Sequence, residues 1–256
     1  MERHHIYSAL VLKVRPSGES NREAFFLTQE AGILRATVFG GPKSKFRALV
    51  SPFHQGRLWV YHNPVRDSRK LTDFDVQSWR FGIREHYQRV MTAGAILELV
   101  LESQGSGGNW ARAWDLANRT LDALDHADAG TCIRIFIHFL WTWTCLLGLR
   151  PDIHHCASCT CEAPVDGLLL WNDREGTLYC PSCAGVSPEK PGSLGLGEWV
   201  AFGPGVRRWL GAVENQDPEV VGRYTLDLPS LSQAKALVTR IMARALGKRL
   251  PGWDRV

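Results

Sequence analysis

The sequence predicts an α+β protein with a small five-stranded β-barrel of the OB type, followed by an α-helical domain that carries an inserted four-cysteine zinc ribbon. Three observations predict this fold. Short β-rich segments alternate with turn residues at the start of the chain. Apolar residues then recur at helical spacing, and two C-x-x-C pairs follow. We expect the barrel domain at residues 1–81 and the helical domain at 82–256, with the ribbon at 154–186.

The barrel prediction depends on five short apolar segments separated by glycine- and proline-containing turns. In Ile33–Phe39, Leu34, Ala36 and Val38 alternate with more polar residues, which is the pattern of a half-buried strand. A short sheet without flanking helices hides its edges most simply by closing on itself. The expected strands lie within residues 7–15, 24–28, 33–39, 58–61 and 71–81.

The charge distribution is uneven along the chain. Residues 1–90 contain 15 Lys and Arg against 8 Asp and Glu, whereas the remainder contains 15 against 18. A basic N-terminal part that precedes a mildly acidic one favours a polyanionic partner for the barrel.

A basic loop is expected between the third and fourth strands, at residues 40–47. Lys43, Lys45 and Arg47 could neutralise phosphates, and Phe46 could stack on a base. Pro42 stands where a phosphate-binding P-loop needs its second glycine, so that motif is excluded. The alternative is a loop that is simply solvated. Because Arg35 and Arg57 add cations to the same barrel, we favour a DNA-binding set of Arg35, Lys43, Lys45, Phe46, Arg47 and Arg57.

Helical periodicity dominates the chain after the barrel. The segment 131–149 is apolar nearly all round and is therefore expected at the centre of a bundle. Its longest uncharged run, residues 135–149, is too short and too interrupted by polar residues for a membrane span, and we expect no membrane association. The expected helices are 82–103, 111–124, 131–149, 205–213 and 233–249.

The two C-x-x-C pairs, Cys156/Cys159 and Cys180/Cys183, are separated by 20 residues. This spacing is typical of a four-thiolate zinc site with a hairpin between the two pairs. The expected hairpin has strands at 168–171 and 177–179, with a turn at 172–176. Four thiolates complete a tetrahedron and leave no position for a reacting water, so we expect one structural Zn²⁺.

Disulfides or buried thiols are the alternatives for these cysteines. Disulfides require an oxidising compartment, and the N-terminal residues contain no apolar signal segment, so we expect a cytosolic protein. Cys161 is the nearest substitute ligand, and His154 and His155 are interpreted as bystanders. Cys132 and Cys145 lie in an apolar helix and are expected in the core.

Known catalytic motifs are missing from the sequence. It contains no Walker A frame, no H-E-x-x-H, no G-x-S-x-G and no clustered carboxylates typical of a two-metal nuclease. We therefore expect a protein that is not an enzyme.

The order of barrel, helices and ribbon resembles the bacterial DNA repair and recombination mediator family RecO. The likeness covers nearly the whole chain. The residues that carry it are the strand entry 7–12, the loop 39–47 with Pro52 and Phe53, the helix start at 87–102, Leu146–Gly148, and the two cysteine pairs.

The resemblance implies a protein that binds single- and double-stranded DNA and anneals complementary strands. With RecR, the family helps RecA load onto strands coated by single-stranded-DNA-binding protein, and RecA or RecF would be indirect partners. It also implies a cytoplasmic, nucleoid-associated location. The acidic, apolar-ended tail of single-stranded-DNA-binding protein would need a cation beside an apolar groove. The candidate cations are Arg134, Arg207, Arg208, Arg240 and Arg244.

A second hypothesis belongs to a different class. The acidic helical part and the lack of catalytic groups would also suit a zinc-ribbon scaffold that joins proteins without binding DNA directly.

Overall fold

The first five strands form a closed barrel in the order β1-β2-β3-β5-β4. Antiparallel pairing joins β1 to β2, β2 to β3, β4 to β5 and β1 to β4, and a parallel contact between Thr37 and Lys70 closes the barrel. The strands are β1 (His4–Ser17), β2 (Asn21–Thr28), β3 (Gly32–Val38), β4 (Gln55–Asn63) and β5 (Ser68–Ser78). The predicted five-stranded barrel of the OB type is therefore confirmed.

Alternate residues of these strands fill the barrel interior, among them Val11, Phe26, Leu58 and Phe74. Burial of such side chains is the main source of barrel stability. The predicted basic loop contains a short helix, α1 (Phe46–Leu49), whose two terminal side chains pack against this core. The end of the loop is therefore anchored by apolar contacts that its charge pattern did not suggest.

A helical region follows the barrel, as predicted. Its helices are α2 (Phe81–Glu85), α3 (Tyr87–Glu102), α4 (Trp110–His126) and α5 (Ala129–Leu146). The single helix expected at 82–103 is divided at His86, whose extended backbone (φ −132°, ψ 130°) interrupts the helical hydrogen bonds. In α5, Phe136, Phe139, Trp141 and Trp143 are fully buried, which fits a helix that is apolar nearly all round.

The remaining elements surround the cysteine pairs. A three-stranded sheet has the order β7-β6-β8, and two α-helices and two 3₁₀ helices follow. The elements are β6 (Leu169–Asn172), β7 (Thr177–Tyr179), β8 (Trp199–Phe202), α6 (Pro204–Val213), α7 (Leu228–Leu246) and the 3₁₀ helices Pro218–Arg223 and Pro251–Arg255. The hairpin of β6 and β7 matches its prediction closely, whereas β8 was not predicted.

Helix α7 begins earlier than the expected residue 233. The side chain of Asp227 accepts a hydrogen bond of 2.9 Å from the backbone nitrogen of Ser230, and Pro229 occupies the first turn. These are typical helix-start features. The helix ends at Gly247, whose left-handed backbone (φ 67°) serves as the C-terminal cap.

The computed structural model describes residues 3–41, 44–104, 108–185 and 199–256. By internal contacts the chain divides into two units, residues 1–132 with 254–256, and residues 133–253. The predicted domain limits, a boundary at 81/82 and a ribbon at 154–186, divide the chain by its sequence and not by internal contacts. They stay a prediction. Among the helices of these ranges, none is long and apolar enough to cross a lipid bilayer.

Candidate metal centre and nucleic-acid interface

The sulfur atoms of Cys156, Cys159, Cys180 and Cys183 all lie within 4.8 Å of one another. The Cys159 and Cys180 sulfurs are 3.9 Å apart. Four thiolates bound to one Zn²⁺ at about 2.3 Å would have sulfur–sulfur separations of roughly 3.8 Å. The cluster therefore has the ligand type, ligand number and spacing of a four-thiolate metal site.

Local backbone hydrogen bonds produce this convergence. The carbonyl of Cys156 accepts from the nitrogen of Thr160 at 2.9 Å, and the carbonyl of Cys180 accepts from Ala184 at 3.0 Å. Each C-x-x-C pair therefore forms a tight turn that places both sulfurs on one side. The β6–β7 hairpin joins the two turns, and the nitrogen of Ala157 donates to Leu178 at 2.9 Å.

Cys161, His154 and His155 are not members of the converged group of four. His155 Nδ1 instead lies 2.8 Å from Asp152 Oδ2. The nitrogen of Cys156 donates to the carbonyl of Cys161 at 3.0 Å, so Cys161 contributes its backbone to the first turn. Cys132 is buried, but Cys145 is exposed, contrary to the expectation that both lie in the core.

A buried arginine fixes the segment that carries the first cysteine pair. Arg207 on α6 donates to the carbonyls of Ile153, Ala163, Pro164 and Gly167 at 2.8–3.1 Å. Burial lowers the pKa of its guanidinium. These four carbonyls lie on both sides of the first pair, so Arg207 holds both ends of that segment against α6.

Two arginines of α7 hold the hairpin turn. Arg240 Nη1 lies 2.7 Å from the carboxylate of Asp173, and Arg244 Nη1 donates to the carbonyl of Arg174 at 2.7 Å. Of the five cations suggested for an acidic tail, Arg207, Arg240 and Arg244 are thus engaged with the segment that carries the four cysteines. Arg208 is largely exposed and meets Asp166 at 3.5 Å. The fifth, Arg134, has one nitrogen 3.4 Å from the carbonyl of Gly222.

The two described cations of the basic loop, Lys45 and Arg47, are exposed to solvent. Lys45 Nζ lies 3.0 Å from Asp73, whose pKa is lowered mainly by the hydrogen bond from Lys45. Phe46 is half-buried against the barrel core, so only part of its ring faces outward. Lys43 lies outside the described residues.

Arg22 supports this loop from β2. Its Nη2 donates to the carbonyl of Phe46 at 2.8 Å. Burial and the nearby charge of Arg47 lower the pKa of Arg22.

The other two predicted DNA contacts are on the barrel surface. Arg57 on β4 is exposed, and Arg35 on β3 is exposed with its Nε 3.1 Å from Glu23. Two residues that were not predicted as site residues lie in the same row as Arg35: Phe25 is on the adjacent strand β2, and Lys13 is on β1 beyond it. The available signal was the pair Phe25–Phe26: because side chains alternate along a strand, only one of the two can enter the barrel.

Comparison with known proteins shows that a chain with this architecture belongs to a class of bacterial DNA repair proteins. Residues 1–78 match the family described as Recombination protein O N terminal, and residues 84–254 match Recombination protein O C terminal. The chain belongs to the RecO family.

Individual relatives cover much of the chain. It is 27% identical to the DNA repair protein RecO of Geobacter metallireducens over 241 residues, which cover 90% of this chain and 96% of the relative. It is 28% identical to the DNA repair protein RecO of Solidesulfovibrio magneticus over 177 residues, 68% of this chain and 70% of the relative.

Proposed function

We propose that this chain is a recombination mediator that binds single- and double-stranded DNA through its barrel and anneals complementary strands. With RecR, it would help RecA load onto strands coated by single-stranded-DNA-binding protein. RecA and RecF would be indirect partners. Family membership supports a role in DNA repair. Among possible roles in DNA repair, the surface of the barrel best supports that of a recombination mediator.

The supporting observation is the set of outward cations on the OB-type barrel. Arg35, Lys45, Arg47 and Arg57 are all exposed, on two strands and the loop between β3 and β4. Cations on a barrel surface contact phosphates without reading sequence, which suits a protein that must work at any damaged site. Annealing requires that two polyanions be neutralised and held close, and base pairing then supplies the favourable free energy. No catalytic group is needed for this role.

For the metal site, we propose one structural Zn²⁺ held by Cys156, Cys159, Cys180 and Cys183. Four thiolates would complete the tetrahedral coordination of Zn²⁺, so the ion would supply folding free energy and leave no open coordination position. The chain's own residues then orient the module: Arg207 holds its first segment and Arg240 its hairpin turn.

Partner proteins would bind the helical domain, proposed here as residues 82–256, while the barrel domain at 1–81 contacts DNA. The partners are RecR and the acidic tail of single-stranded-DNA-binding protein. Arg208 is one candidate cation for this tail that remains largely exposed, and Arg244 is also exposed. The protein would act in the cytoplasm on the nucleoid.

A strand-annealing assay tests the proposal. Two complementary labelled strands should pair faster with the protein than without it, and this acceleration should persist when both strands are first coated with single-stranded-DNA-binding protein. A variant in which Lys45 and Arg47 are replaced by alanine should accelerate less, whereas Arg255→Ala, which changes a cation outside the barrel, should match the wild type. Equal pairing rates with and without the protein would reject annealing.

The scaffold hypothesis predicts a different result. Partner proteins would still be captured after nuclease treatment, and naked DNA would not bind.

A further inference from the structure

A row of cation, aromatic ring and cation crosses three neighbouring strands on the outside of the barrel. Lys13 on β1 pairs in register with Phe25 on β2, and Phe25 pairs with Arg35 on β3. Directly paired residues in a sheet project to the same side. Lys13 and Arg35 are exposed and Phe25 is half-exposed, so the row faces outward.

The next row adds more charge. Arg15, Glu23, Thr37 and Lys70 are paired across β1, β2, β3 and β5. The carboxylate of Glu23 accepts from Arg15 Nε at 2.7 Å and lies 3.1 Å from Arg35 Nε. Glu23, the acidic residue of these two rows, is thus paired with Arg15 and Arg35. Because Lys13 and Lys70 add two more cations, the face has a net positive charge.

A second exposed ring lies at the end of β3. Phe39 is 44% exposed, and the Nζ atom of Lys70 is 5.2 Å from the centre of its ring. Arg15 has the same relationship to Phe25, with its Cζ 5.2 Å from the ring centre. Each ring is therefore accompanied by a cation on a long side chain. Such contacts are weak at exposed sites, so Lys70 can move to a phosphate and leave the ring face of Phe39 free, whereas Arg15 is also held by Glu23.

In the described part of the first unit, helix α4 packs against one end of the same sheet. At that end, a side-chain carbon added to Gly32 would lie 2.5 Å from the ring of Trp110 on α4. Leu27, which projects to the same side of β2 as Phe25, is fully buried. The two rows described above lie at the other end, where the cations are exposed.

We infer that this face, defined by Lys13, Arg15, Phe25, Arg35, Phe39 and Lys70, is a stacking platform for unpaired bases of single-stranded nucleic acid. The cations would hold the sugar-phosphate chain, while Phe25 and Phe39 would each stack on a base. A duplex already stacks its bases internally, so it would use the cations and not the rings. This inference rests on the proposed DNA binding and adds a preference for single strands.

The test compares three DNA ligands: an oligothymidine, an abasic strand of the same length, and a duplex. The wild type should bind the oligothymidine about tenfold or more tightly than the abasic strand. A double variant, Phe25→Leu with Phe39→Leu, should bind these two strands equally. Its duplex affinity should stay within about twofold of the wild type, because no cation is removed.

Two further variants serve as controls. The double variant Phe25→Trp with Phe39→Trp keeps an aromatic ring at both positions. Unlike the double leucine variant, it should keep the preference for the oligothymidine over the abasic strand. Phe81→Leu removes an exposed phenylalanine from α2 and should behave as the wild type. A double leucine variant that keeps the wild-type preference would overturn the platform, and so would a wild type that binds both strands equally. Those outcomes leave DNA binding intact, whereas a wild type that binds none of the three ligands would reject the proposed function as well.

Discussion

Arg80 Nε lies 2.7 Å from Asp122 Oδ1, although the arginine side chain is 2% exposed and the carboxylate is 53% exposed. The same guanidinium donates to the carbonyl of Phe53 at 2.7 Å and to Asn118 Oδ1 at 2.9 Å. Phe53 precedes β4 and Asn118 lies on α4, so one buried cation joins the barrel to the helices of the first unit. The pair is asymmetric. The guanidinium of Arg80 is buried and costly to desolvate, and it has several hydrogen-bond partners, whereas the carboxylate of Asp122 remains half-exposed.

Replacing Arg80 by alanine should therefore destabilise the protein by about 3 kcal/mol, because buried acceptors lose their donor and a cavity forms. Asp122→Asn should cost about 1 kcal/mol or less, since a half-exposed carboxylate is well solvated without its partner. Urea unfolding followed by tryptophan fluorescence would measure both. Equal losses would contradict the asymmetry.

Metal content should depend on four of the seven cysteines. Purified wild-type protein should contain about one zinc ion per chain, and Cys156→Ser or Cys183→Ser should lose it and unfold more easily. Cys161→Ser is the matched control, because this thiol is two residues from Cys159 but lies outside the converged group. Metal analysis of the three variants decides the point. Loss of zinc from Cys161→Ser to the same extent would show that the ligand set is different.

Arg207 and Arg208 are neighbours in sequence with opposite environments. Arg207→Ala removes the guanidinium donor from four backbone carbonyls, of which only that of Pro164 keeps another donor, the nitrogen of Gly167. We expect a loss of about 3 kcal/mol together with faster zinc release to a chelator. Arg208→Ala should change stability by less than about 0.5 kcal/mol, because its 3.5 Å contact with Asp166 is between exposed groups. If the two variants release zinc at the same rate, Arg207 does not hold the metal-binding segment.

Burial of His138 should make the stability depend on pH. Its Nε2 donates to the carbonyl of Gln216 at 3.0 Å, and burial lowers the pKa to about 4. The positive charge of Arg150 lowers the pKa further, and Asp217 opposes this. In the unfolded chain the pKa returns to about 6.5. Between these two values the unfolded state binds more protons, so stability falls as the pH decreases from about 6.5 to 4.

The full loss from this histidine would be about 3 kcal/mol. His138→Gln keeps a donor and does not titrate. The stability difference between the wild type and this variant should therefore shift in favour of the variant as the pH falls through that window. Unfolding titrations at several pH values would measure the shift. A difference that is constant with pH would contradict a neutral buried imidazole.

The sequence predicted the parts of the fold that depend on nearby residues. The β6–β7 hairpin was predicted closely because two C-x-x-C pairs and the turn at 172–176 lie within 28 residues. The barrel strands were predicted from alternation and turns. Strand β8 was missed because only its pairing with β6, between Leu169 and Phe202, defines it as a strand. Pairing partners this far apart leave no local pattern.

Whether a given side chain is buried or exposed was harder to predict than the positions of the helices and strands. The sequence shows Arg207 and Arg208 as equivalent cations, yet their positions on α6 direct one to the protein interior and the other to solvent. The platform around Phe25 requires the register of three strands, which the sequence does not specify. A similar limit applied to Phe46, whose charged neighbours indicated an open loop although its ring packs on the barrel core.

Salt dependence of single-strand binding tests the central claim, that the basic barrel grips the sugar-phosphate chain. The logarithm of the association constant should fall linearly with the logarithm of salt concentration, with a slope of roughly −0.7 per phosphate contacted. Replacing Lys43, Lys45 and Arg47 by alanine should weaken binding and make this slope shallower, whereas Arg208→Ala should leave the slope unchanged. A wild-type affinity that does not change with salt, or a triple variant with the wild-type slope, would contradict the account.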